Sequence, residues 1–142
     1  MIALDVGIRA ALVADSGAGG VAALATGGIF QLDAPQGTTP PYAIFQEASD
    51  MPGYAFGNSL QCEHFFYMFR AFAVDANTSG PAQAGAIADR LKTLLTNPSL
   101  TVSGKTVISA RFDRSYPPLK EWDGANNRYF YSRGILCEIW LA

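Results

Sequence analysis

Apolar residues recur at helical spacing near the start of the chain and again past its middle. Elsewhere they crowd onto both sides of strand-like runs. Leu4, Ile8 and Leu12, with Val6 and Val13 beside them, predict a helix over 2–14 that turns Arg9 and Asp15 outward. Gly17, Gly19 and Gly20 end it, leaving room for a short further turn over 21–25. Gly27-Gly28 then releases the chain into a short strand over 29–32. Residues 33–37 read as a turn. Pro40-Pro41 forces an extended entry into a second strand over 42–48, which Ser49 to Gly53 should end.

The run from Gln61 to Asp75 is the most informative. One side of this long strand carries Phe65, Tyr67 and Phe69; the other carries Cys62, Phe66, Met68, Phe72 and Val74. A sheet with one wet face alternates apolar and polar residues, and this strand does not. Either helices cover both of its faces, or another subunit covers one. The second main helix spans 81–96, with Ser79 as N-cap, Pro81 in the first turn and Asn97-Pro98 as the stop. A strand follows over 106–114, with Val107 on one side and Ile108, Ala110 and Phe112 on the other. Tyr116-Pro117-Pro118 breaks it, and a loop through Trp122 and Gly124 leads to a last strand over 128–141, again apolar on both sides. The expected fold is α+β, a mostly antiparallel sheet of about five strands packed with two main helices, in a single domain over 1–142.

Charge sharpens this picture. Charged residues are 15% of the chain against about 25% in soluble domains. With 49% hydrophobic residues, the surface is short of charge, which burial against copies or partners would resolve. The ten Lys and Arg form no run and the net charge is −2, which argues against a protein that grips nucleic acid. No stretch of about 18 apolar residues predicts a membrane span. Asp5 interrupts the apolar start and no basic leader precedes it, so assembly in the cytoplasm is expected.

A search for chemistry finds no site. Cys62 and His64 share a side of a strand but stand about 6–7 Å apart along the backbone, too far for a ready nucleophile pair, and no third group orients them. Cys62, His64 and Cys137 lack a fourth ligand and zinc-like spacing. The glycines over 16–20 follow a helix and lack the Gly-Lys-Ser/Thr of a phosphate loop. Asp33, Glu47, Asp50, Asp113, Glu121 and Asp123 mostly fall at strand ends or in loops, and the aromatics lack the basic companions that base stacking needs. No catalytic residue, cofactor or metal is expected.

The order of elements and one motif carry a resemblance. Gly27-Gly28-Ile29-Phe30, then Asp33-Ala34-Pro35-Gln36-Gly37, then Pro40-Pro41-Tyr42, is similar to a stretch of phage tail completion proteins of the tail terminator type. Ile8 to Leu12, Ala84 to Leu91 and Arg133 to Trp140 also look like segments of that family. The resemblance implies a virion protein without catalytic residues. It would form a hexameric homo-oligomer at the head-proximal end of the tail, on the last ring of the major tail tube protein. A head–tail connector or stopper protein would dock above, and DNA would pass through the lumen without specific binding. The motif residues Gly27, Gly28, Asp33, Pro35, Gly37, Pro40, Pro41 and Tyr42 would then shape the sheet edge without being a binding site themselves. The apolar long strand, through Phe65, Tyr67 and Phe69, is expected at the subunit interface. Another neck component (connector, stopper or minor tail ring), a small Cys/His enzyme and a monomeric ligand-binding domain are the alternatives.

Overall fold

A computed structural model describes residues 1–54, 60–74, 80–96 and 99–142. Within them the chain forms three helices and six strands. These are α1 (Ile2–Ala14), α2 (Val21–Leu24), β1 (Ile29–Gln31), β2 (Tyr42–Tyr54), β3 (Leu60–Val74), α3 (Gly80–Thr96), β4 (Val107–Ser115), β5 (Leu119–Asp123) and β6 (Arg128–Leu141). One sheet takes the order β1-β2-β3-β6-β4, with β5 also on β6. Only the β1–β2 pairing is parallel, so the sheet is mostly antiparallel and the α+β reading holds.

β6 is flanked along its length. β3 pairs with it from Val74↔Phe130 to Glu63↔Leu141. On its other side β4 pairs with the C-terminal half and β5 with the N-terminal half. β4 and β5 run in the same direction, so they act as one edge strand interrupted at Tyr116-Pro117-Pro118.

Alternation sorts the sheet into two unlike faces. Phe45, Phe65, Tyr67, Phe69, Ile135, Cys137 and Ile139 form one side, which packs with Leu4, Ile8 and Leu12 of α1 and Ile87, Leu91 and Leu95 of α3 in a single core. Tyr67 is enclosed completely, and its hydroxyl donates to Asp5 Oδ1 at 2.5 Å, so the buried phenol keeps a partner. The helices are tied together by Asp15 after α1. Its carboxylate accepts Val21 N at 2.8 Å and both Nε and Nη2 of Arg90 from α3, at 2.8 and 2.6 Å. This bidentate pair holds the Asp15 carboxyl below its ordinary range.

Several expectations give way to the fold itself. α1 buries Leu4, Gly7, Ile8 and Leu12, while Val6 is 63% exposed and Val13 also faces outward: the helix carries two apolar stripes, and only one meets the sheet. β2 does not stop at Ala48. It continues to Tyr54 because the long β3 offers a partner throughout, with a bulge between Glu47 and Ser49 absorbing the mismatch. In β4 a bulge at Ile108 reverses the alternation, so Val107, Ala110 and Phe112 share the core side and Ile108 is exposed. The loop after the two prolines contains β5, a strand its polar composition conceals. Ser79, Asn97 and Pro98, expected as helix signals, and most of the loop over 53–60 lie outside the described residues.

Candidate assembly surface

The second sheet face has no helix over it among the described residues, yet its side chains are not those of a wet surface. Ile44, Gln46, Phe66, Met68, Arg70, Phe72 and Trp140 are half-buried there, mostly by one another. Tyr42 stacks on Phe72 at 5.1 Å between centroids and meets the edge of Phe30 at 6.3 Å.

Farther along the strands, charge is embedded in aromatic surface. His64 lies flat on Trp140, at 3.9 Å and 8°, and against Phe66 at 4.6 Å. Its Nε2 is 2.7 Å from Glu138 Oε1, to which Trp140 Nε1 also donates at 3.2 Å. Arg111 Nε donates to the other oxygen, Glu138 Oε2. The strands explain the cluster: Arg111 is the β4 partner of Glu138, and His64 is the β3 partner of Trp140. The Arg111 hydrogen bond is the main cause holding the Glu138 carboxyl below its usual range. An ionised carboxylate and an imidazole, both buried on a face without helices, are groups a bare solvent surface would not retain.

Toward β1 the same face sinks into a groove of about 270 Å³ lined by Leu32, Ile44, Gln46, Met68, Arg70 and Phe72. It is smaller than the roughly 300–1,000 Å³ of pockets that enclose drug-sized ligands. Among the described residues Arg70 forms no ion pair or hydrogen bond.

The expected interface residues do not belong to this face. Phe65, Tyr67 and Phe69 are 4%, 0% and 1% exposed, sealed beneath the helices, and side chains so enclosed cannot reach another subunit. The outward apolar positions of the same strand are their neighbours Phe66, Met68 and Phe72. Arg111, Glu138 and Trp140 are not apparent in the sequence because pairing across strands brings them together, and Arg70 because the groove is shaped by three separate segments; only Glu138, a lone acid between Cys137 and Ile139, is a visible signal.

The glycine–proline motif does converge. Gly27 N donates to Pro41 O at 2.8 Å and Ala43 N to Gly28 O at 3.1 Å, locking the crossover between β1 and β2. A Cβ on Gly27 would lie 1.8 Å from Thr39 O, so nothing larger fits. The Pro40-Pro41 bond is cis, Gly28 and Gly37 hold positive φ, and Pro35 O accepts Thr38 N and Oγ1 in the turn. Asp33 N closes a tight turn onto Gln31 O, and Tyr42 begins the open-face aromatic row.

Reactive chemistry is not assembled. Burial pushes the Cys137 thiol up to about 12, the reverse of what activates a nucleophile. No group of three or more metal-ligating side chains occurs among the described residues. No helix in them is long and apolar enough to cross a membrane.

Among the described residues the site is thus a helix-free sheet face bearing aromatic and ionic side chains. The family model described as tail completion protein gp17 matches residues 6–116, and the chain belongs to that family. It is a structural, non-enzymatic component of a phage tail. No curated protein sequence matches it significantly. Its fold is similar to a chain in the virion of a native gene transfer agent (GTA) particle, with a TM-score of 0.64 and 13% identity over 99% of this chain and 98% of that one.

Proposed function

We propose that the protein is a tail terminator, a single domain over 1–142 that forms a ring, hexameric by the family resemblance, at the head-proximal end of the tail. One annular surface would seat on the last turn of the major tail tube protein and stop its polymerisation. The other would receive the head–tail connector or stopper protein, and DNA would pass through the opening without specific binding. Assembly would take place in the host cytoplasm. The observation that carries this reading is the uncovered sheet face, where Phe66, Met68, Phe72 and Trp140 lie outward of the core. A repeated heterologous contact closes into a ring when its rotation closes. Family membership supplies the setting. A weakly acidic chain, net −2, would not trap phosphates.

Negative-stain images and native mass of the purified protein test this directly. Annuli of six copies that stop tube elongation when added to polymerising tail tube protein are expected. A monomer at all concentrations, or tubes that grow past it, would sink the proposal; annuli that bind connector but leave tube growth unaffected would identify another neck component.

A further inference from the structure

The groove and the β5–β6 hairpin sit at opposite lateral edges of the sheet. The groove lies over β1, β2 and β3; the hairpin is built on the far side of β6. Both lie toward one end of the strands, since Phe72 pairs with Ser132 and Ser132 pairs across with Leu119. The hairpin presents Trp122, 55% exposed and braced edge-on by Tyr129 at 4.8 Å. Folding of the single chain gains little from an indole left in water.

The groove has the complementary chemistry. Met68, Phe72 and Ile44 give apolar and thioether walls suited to an aromatic ring. Arg70 brings a half-buried guanidinium that forms no ion pair among the described residues, and such a group stacks readily on an indole face. Gln46 offers an amide oxygen to the indole N–H. At the rim stands Leu32, 65% exposed with φ of 67°, a left-handed conformation that costs energy for a residue other than glycine. The backbone at Leu32 forms the corner of the tight turn from Gln31 to Asp33, but its apolar side chain adds little to the isolated fold, and strain of this sort gathers where something docks.

We infer that Trp122 of one copy seats in the Leu32–Arg70 groove of the next, so that hairpin and groove form the head-to-tail contact of the assembly. This deepens the ring reading above and rests on it. Two different patches on one chain make the contact heterologous, and their shared end of the sheet keeps the rise per subunit small, as a closed ring requires. Trp122 is the anchor, as buried tryptophans at interface centres commonly are.

The test compares the full-length protein with Trp122→Ala and Leu32→Arg by analytical ultracentrifugation. Both changes are at exposed positions, and melting profiles check that the fold is kept. Each variant alone should raise the concentration of half-assembly by roughly tenfold or more. Mixed together, the intact groove of the first and the intact hairpin of the second should form a 1:1 dimer. Wild-type annuli with Trp122→Ala annuli unchanged would overturn this contact and leave the ring standing; a monomeric wild type would overturn the ring itself. Should Trp122→Ala alter the melting profile, Leu32→Arg, on a different element, is read alone: annuli that persist overturn the contact. Two dissociated variants that stay monomeric on mixing would overturn the head-to-tail pairing.

Discussion

Glu138 shows how one side chain can be wrong for its surroundings and right for its neighbours. A carboxylate buried on a sheet is tolerated because Arg111 and Trp140 supply its hydrogen bonds and Arg111 its counter-charge. Replacing it by Gln keeps the shape but weakens the pair with Arg111, and should cost about 1–3 kcal/mol in urea unfolding. The sign of the pH effect follows from the depressed carboxyls of Glu138 and Asp15. Each is more acidic folded than unfolded, so its contribution is complete above an unfolded value of about 4 and is lost as pH falls through the lower folded value. The urea midpoint should therefore drop on going below about pH 4, and the gap between wild type and Glu138→Gln should narrow there. A gap that is constant with pH would assign the loss to packing. Cys137, buried with its thiol raised to about 12, should react with Ellman's reagent only after denaturation.

At the scale of elements, α1 presents two apolar stripes that periodicity alone could not rank. Leu12→Ala, in the core stripe, should cost about 2–5 kcal/mol of stability. Val6→Ser, on the outer stripe, should change stability by less than about 0.5 kcal/mol; thermal melts of the two distinguish the faces. The helices and the long strands were legible because their apolar positions repeat over many residues. Bulges were not: the extra residue at Ile108 moves Val107 onto the side of Ala110 and Phe112, and no propensity announces it. β5 hid for a related reason, since four of its five residues are exposed and its order comes from pairing with β6. The apolar doubling of the long strand left open helices on both faces or another subunit on one; among the described residues helices pack on one face, and the doubling could not tell which. Phe65, Tyr67 and Phe69 were therefore assigned to the outside when α1 and α3 enclose them. The motif from Gly27 to Tyr42 was readable as a shape, because glycine and proline act on the backbone itself. Arg111 and Glu138 act through each other from positions distant in sequence, and only the register unites them.

For the whole molecule, the edge formed by β4 and β5 has a consequence beyond the fold. Pro117 and Pro118 have no N–H to offer an incoming strand, and the two bulges of β4 curl the rest of that margin. Backbone-templated stacking into fibrils is thereby discouraged, even in a chain with so much apolar strand. Quiescent incubation at high concentration should give no thioflavin T signal, whereas Pro117→Val with Pro118→Val should shorten any lag. Contacts between molecules are left to side chains, which can be selective about the neighbour they accept where a bare peptide ladder would take almost any sequence.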